Sequence, residues 1–255
     1  MTEPLAAEFR GPATHGGPPP ERIVFLHGFT QTRRSWDAVA SQFASEYETL
    51  TVDVPGHGEF SELRLDLPSA AEQLGQLAGT ATYVGYSMGG RLALHLALAR
   101  PAVVRRLVLV SSSAGIDDDT ARAERRAEDG ERALEIERDG VDAFLDRWLA
   151  LPLFARLPHD AAQLDERRSN TADGLASSLR LAGTGTQLSL WGRLGELSMP
   201  VLLVAGALDT KFVGIAEQMA AAIPSAELAI VPDAGHVVHL ERPAEFVDVL
   251  RGWLS

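Results

Sequence analysis

The chain has 255 residues, 45% of them hydrophobic in many short runs, a formal net charge of −12 and no cysteine. No run approaches the roughly eighteen apolar residues that span a bilayer, and the opening "MTEPLAAEFR" lacks the basic start and apolar core of a secretory signal. Disulfides, cysteine nucleophiles and thiolate metal sites are excluded, and the negative field opposes broad binding to nucleic acid or anionic membrane while permitting a local basic pocket.

After the Pro/Gly-rich "GPATHGGPPP", the short apolar run "RIVFLH" (22 to 27) reads as a buried strand. Similar runs follow at "ETLTVDV" (48 to 54), "TATYVGY" (80 to 86), "RRLVLVS" (105 to 111), "PVLLVAG" (200 to 206) and "AELAIVP" (226 to 232). Most alternate with stretches of helical period, namely "WDAVASQFASEY", "RLALHLALAR", "GIAEQMAAAI" and "PAEFVDVLRGWL". That alternation predicts an α/β fold with a mostly parallel sheet covered on both faces. From Ile116 to Gly195 no strand-like run occurs and the sequence turns charged and helical. The expected organisation is a core of residues 1 to 115 and 196 to 255, with 116 to 195 a helical insertion over the carboxyl ends of the strands, where open α/β sheets bind ligands.

"GYSMGG" (85 to 90) fits G-x-S-x-G between a strand and a helix. Glycines at 85 and 89 allow a sharp turn that lifts the Ser87 hydroxyl above the sheet, and the helix start aims free N-H groups at any negative charge beside it. A serine hydroxyl becomes reactive when an imidazole takes its proton and a carboxylate orients the imidazole. Asp209 closes "VLLVAGALD" and His236 lies in "VPDAGHVVHLERP", each just past a strand, in the chain order Ser, Asp, His. The backbone N-H groups of Phe29, in "LHGFTQ", and Met88 are the expected donors to a developing oxyanion. His27 reads as a loop-holding residue and His57, in "DVPGHGEFS", as turn chemistry. The seven histidines show no H-E-x-x-H spacing and "DDDT" (117 to 120) lacks the rest of a calcium loop, so no metal and no cofactor is expected.

"LHGF", "DVPGHG", "GYSMGG", "GALD" and "AGH" together resemble the α/β-hydrolase fold, whose members catalyse many reactions. Arginines then become informative. Arg91 sits four residues after Ser87, and helical side chains tilt toward the N-terminus, so it points back at the nucleophile and offers a fork for a carboxylate. Arg125 of "RAERRAE" and Arg168 of "LDERRSN", taken alone, read as solvated helix surface with ion pairs along the helix. Trp148 of "DRWLALPLF" offers an apolar wall.

"GYSMGGR", "RAER", "WLALPLF", "RRSN", "LDTKF" and "AGHVVHLERP" resemble one family within the fold, the 2-succinyl-6-hydroxy-2,4-cyclohexadiene-1-carboxylate synthases of menaquinone biosynthesis. The resemblance runs from about residue 22 to the end. It implies that Arg91, Arg125 and Arg168 bind substrate carboxylates alongside Tyr86 and Trp148, and that Ser87, Asp209 and His236 form the triad. Which of Arg125 and Arg126, and of Arg167 and Arg168, faces the pocket stays open. "SSSAGIDDD", after the fourth clear strand, departs from the glycine- and histidine-containing segment of some members. The implied reaction eliminates pyruvate from a cyclohexene carboxylate bearing a succinyl group and an enolpyruvyl ether, with Ser87 as base and no acyl-enzyme. The implied partner is a small anionic substrate; the composition, without cysteine or a signal-like start, sets a cytoplasmic location as the expectation, and the oligomeric state is open. The alternatives are a serine hydrolase for a small carboxylic ester and a non-catalytic receptor for a small acid.

Overall fold

A computed structural model describes residues 7–12 and 20–255. The first six residues and most of the Pro/Gly-rich opening lie outside the described residues. The chain forms β1 (Ala7–Arg10), β2 (Arg22–Leu26), α1 (Asp37–Ser41), β3 (Glu48–Val52), α2 (Leu67–Ala78), β4 (Ala81–Tyr86), α3 (Met88–Ala99) and β5 (Val104–Val110). Then come α4 (Asp119–Leu149), α5 (Leu164–Arg168), α6 (Ala172–Ala182), β6 (Val201–Gly206), α7 (Thr210–Ala222), β7 (Ala226–Val231), α8 (Val238–Glu241) and α9 (Pro243–Leu254). The strands build one seven-stranded sheet in the order β1-β3-β2-β4-β5-β6-β7. Every pairing is parallel except that of β1 with β3.

The apolar runs are continuous because both sheet faces are covered. Side chains alternate across a strand, so each run divides between two cores. Val24, Leu26, Tyr83, Leu107, Leu109 and Leu203 face one core with residues of α2, α3 and α7. Ile23, Phe25, Val84, Val108, Val110 and Leu202 face the other with Trp36, Phe246 and Leu250. A third cluster, with Ala133, Ile136, Phe144, Leu175 and Leu179, joins α4 to α6.

The strand expectations match within a residue or two, and the segment between β5 and β6 holds helices joined by loops and no strand. Gly140, at φ 82° and ψ 169°, breaks α4 into two arms, so the charged stretch and the Phe144/Trp148 stretch run in different directions. Two elements carry no strong sequence signal. β1 is a four-residue antiparallel edge strand, and α2 contains Pro68 and Gly75 and buries mainly alanine and leucine. No helix of the described residues is long and apolar enough to cross a membrane.

Candidate active site

The carboxyl ends of four parallel strands deliver the site, as expected for an open α/β sheet. Phe29 follows β2, Ser87 follows β4, Asp209 follows β6 and His236 follows β7. Ser87 has φ 49° and ψ −109°, a conformation that costs an L-residue about 1–3 kcal/mol and persists only where its surroundings impose it. Those surroundings are close backbone approaches. A Cβ on Gly89 would sit 2.3 Å from the Leu26 carbonyl oxygen, and one on Gly85 would meet the Gly89 oxygen. The Ser87 N-H donates to Val110 O at 2.9 Å, tying the turn to β5. The first intrahelical bond of α3 is Arg91 N-H to Ser87 O, which leaves the Met88 N-H without a helical partner.

The Phe29 N-H is oriented through its own peptide plane. Gly28 O, on that plane, accepts from Gln31 N-H at 3.1 Å and pairs with His27 Nδ1 at 2.9 Å. In a trans peptide the N-H points opposite to the carbonyl, so fixing Gly28 O fixes the direction of the Phe29 N-H. His27 Nε2 accepts from Val54 N-H at 3.1 Å, which places its proton on Nδ1. His57 Nε2 likewise accepts from Thr30 N-H, at 3.3 Å. Burial drives both histidines toward the neutral form, with the His57 pKa pushed down to about 3. They brace the loop between β2 and α1.

Asp209 caps α7 and accepts from Phe212 N-H at 3.3 Å through Oδ1, while Oδ2 receives His236 Nδ1 at 2.7 Å. A residue with no local sequence signal holds the histidine loop. Glu241 accepts from Gly235 N-H at 2.5 Å and Val237 N-H at 2.8 Å, clamping the residues on either side of His236. The His236 ring also packs on Phe212, with centroids 4.5 Å apart.

Ser87 and His236 face one cavity of about 170 Å³, lined also by Phe29, Tyr86, Met88, Arg91, Arg125, Trp148 and Lys211. Aromatic side chains form its roof. Trp148 stacks on Phe144 at 5.7 Å and meets the Phe29 ring edge-on at 5.4 Å. Tyr86 is buried, with its hydroxyl held protonated by burial. Arg91 is 7% exposed and donates to Ala182 O at 2.8 Å and Gln187 Oε1 at 3.0 Å, with no carboxylate partner among the described residues. Burial, reinforced by the charge of Arg125 and partly offset by Asp129, pushes its pKa down to about 10, still cationic at neutral pH. Arg125 donates through Nε to the buried Asp129 at 2.8 Å, and its guanidinium reaches the cavity wall. Asp129 and Gln187 fix these two arginines from 4 and 96 residues away, and the longer pairing is invisible to local pattern.

Arg168 is the correction. It lies outside the cavity, 42% exposed, paired with Asp142 at 3.1 Å and Asp165 at 3.6 Å. One residue back is about 100° around a helix, and that neighbour, Arg167, is the buried member of the doublet. It donates to Ala162 O at 2.8 Å and to the Thr30 hydroxyl, behind the loop that carries Phe29 rather than in the cavity lining.

The alpha/beta hydrolase family model matches residues 23–249. A 2-succinyl-6-hydroxy-2,4-cyclohexadiene-1-carboxylate synthase of Serratia proteamaculans (strain 568) is 32% identical over 241 residues, covering 91% of this chain and 92% of its own. A Bacillus subtilis (strain 168) protein given that name provisionally is 37% identical over 249 residues, covering 92% and 90%. The chain belongs to the alpha/beta hydrolase family, in the branch of these synthases. Among solved structures, MenH from S. aureus superposes with a TM-score of 0.87 at 32% identity, covering 97% of both chains. That superposition is too extensive to leave out the helical segment between β5 and β6, where the cavity roof is built.

Proposed function

We propose that the protein is a 2-succinyl-6-hydroxy-2,4-cyclohexadiene-1-carboxylate synthase, a lyase on a hydrolase fold that eliminates pyruvate from 2-succinyl-5-enolpyruvyl-6-hydroxy-3-cyclohexene-1-carboxylate. One observation carries the reading. Arg91, Arg125 and Lys211 line the cavity beside Ser87 without a single Asp or Glu in the lining, in a chain with 35 acidic residues. A neutral ester needs no such charge, whereas a polycarboxylate is bound by forked guanidinium donors.

In this reading the substrate ring lies under Trp148 with its carboxylates toward the arginines. His236, oriented by Asp209, draws the proton from Ser87 Oγ, and that oxygen removes the proton on the ring carbon next to the succinyl ketone. The electron pair moves onto the ketone oxygen, where the N-H groups of Phe29 and Met88 hold the charge. It then returns to expel the enolpyruvyl oxygen, and the departing enolate takes up a proton to become pyruvate. No water is consumed and no bond forms to Ser87. Residues 116 to 195 act as a cap over the core of 1 to 115 and 196 to 255.

The test is turnover of enzymatically prepared substrate, followed by pyruvate release and by the ultraviolet absorbance of the conjugated product. One-for-one appearance of both supports the synthase. Absence of both, with a burst on p-nitrophenyl acetate that requires Ser87, transfers the site to the ester hydrolases.

A further inference from the structure

A second cavity, of about 160 Å³, opens beside the first. Ser87, Arg91, Arg125, Thr184, Lys211 and Phe212 belong to both walls, so the two are adjoining lobes of one site. The lobes differ in chemistry. Phe29, Trp148, Leu153 and Phe154 wall the first and suit a carbon ring. Ser111, Ser112 and Ser113, just after β5, line the second opposite an apolar wall of Ile116, Trp191 and Ile215, and the three cations are common to both lobes.

The serine lobe contains a hydroxyl without an assigned task. Ser112 Oγ donates to Ser87 O at 2.9 Å, and Ser113 Oγ accepts from Gly115 N-H at 3.4 Å. Ser111 is 2% exposed, and its Oγ has no hydrogen-bond partner among the described residues. Its backbone is in the left-handed region at φ 46°, fixed by the bond from its N-H to Val204 O at 2.8 Å. A buried hydroxyl left unpaired in a strained residue is an unmet demand for a partner. Across the lobe, Lys211 is exposed and forms no ion pair among the described residues.

From this geometry we infer that the serine lobe is the subsite for the three-carbon acid that leaves, with Lys211 and the Ser111 hydroxyl binding its carboxylate. The inference rests on the synthase reading. The ring with its ketone occupies the aromatic lobe, and the enolpyruvyl arm extends into the adjoining serine-lined lobe, where Lys211 and the unpaired Ser111 hydroxyl meet its carboxylate.

The test compares product inhibition in the wild type, Ser111→Ala, Lys211→Met and Lys211→Arg. Pyruvate probes the serine lobe, and 2-succinylbenzoate, an aromatic analogue of the retained ring, probes the other. Losing a charged hydrogen bond corresponds to a weakening of about tenfold or more. Pyruvate inhibition should weaken about tenfold in Lys211→Met and about threefold or more in Ser111→Ala, and recover largely in Lys211→Arg. Inhibition by 2-succinylbenzoate should stay within about twofold throughout. Ser111→Ala removes an unbonded hydroxyl, so its thermal midpoint should match the wild type.

Equal weakening of both inhibitors, unchanged pyruvate inhibition in both variants, or no pyruvate inhibition of an active wild type would each overturn the subsite. Failure of the wild type to eliminate pyruvate at all is a different result and sinks the synthase reading itself.

Discussion

Arg91→Met should make the free protein more stable and the enzyme much worse. The guanidinium is 7% exposed, accepted only by Ala182 O and Gln187 Oε1, and burial pushes its pKa well below the ordinary arginine value, down to about 10. At about 1.4 kcal/mol per pH unit, that drop amounts to about 3 kcal/mol of destabilisation carried by the buried charge at neutral pH. Methionine removes that cost and fills similar space, but strips the donor from two buried acceptors, costing about 1–2 kcal/mol. The net expectation is a gain of about 1–2 kcal/mol, or a rise of about 3–6 °C in the melting temperature of a domain this size. Activity moves the other way. The cation is compensated when a substrate carboxylate arrives, so kcat/KM should fall about a hundredfold or more. Thermal unfolding of ligand-free protein at pH 7 and initial-rate kinetics check both arms. A variant less stable than the wild type by about 1 kcal/mol or more, or one with normal kcat/KM, would refute the assignment of Arg91 as a charge waiting for its anion.

Gly89→Ala puts a methyl group 2.3 Å from Leu26 O and 2.6 Å from His27 O, both backbone atoms, and should cost about 3 kcal/mol or more in urea unfolding, or leave the protein insoluble. Acid should destabilise the fold well above the carboxylate range. Burial pushes the pKa of His57 down to about 3 and that of His95 to about 4, so below about pH 6.5 the unfolded chain binds protons that the native state refuses. Stability present at pH 8 is therefore lost as pH falls, by about 2 kcal/mol per histidine at pH 5. A urea midpoint constant from pH 8 to pH 5 would contradict this. Glu241→Gln replaces one acceptor oxygen facing Gly235 N-H or Val237 N-H with a donor, and should lower kcat about tenfold with KM little changed. A matched rise in KM would instead place Glu241 in substrate binding.

The sheet was legible because both of its faces are buried. Runs such as "RIVFLH" and "VLLVAG" need no alternation, and the glycines that end them stand where the backbone turns sharply. The gathering of Ser87, Asp209 and His236 at one end of the sheet was legible because each follows a strand, so their proximity is a property of the topology. β1 was not, being a short edge strand, and α2 hides its inward face behind alanines with Pro68 at its start. The arginine doublet at 167 and 168 shows where local pattern ends. Its orientation depends on a five-residue helix entered through Gln163 at φ 52°, and on Thr30 accepting from Arg167 across 137 residues. Glu241 is similar. Its acceptor role depends on α8 folding back against the residues just before it.

Pyruvate release by Ser87→Ala and by the wild type, the latter also on substrate deuterated at the ring carbon beside the succinyl ketone, tests the central claim most directly. The account predicts a primary isotope effect in the wild type, a fall of about a thousandfold in the variant, and no covalent adduct on Ser87 by intact mass during turnover. A variant retaining more than about a tenth of wild-type kcat, or an acylated Ser87 accumulating in the steady state, would contradict it.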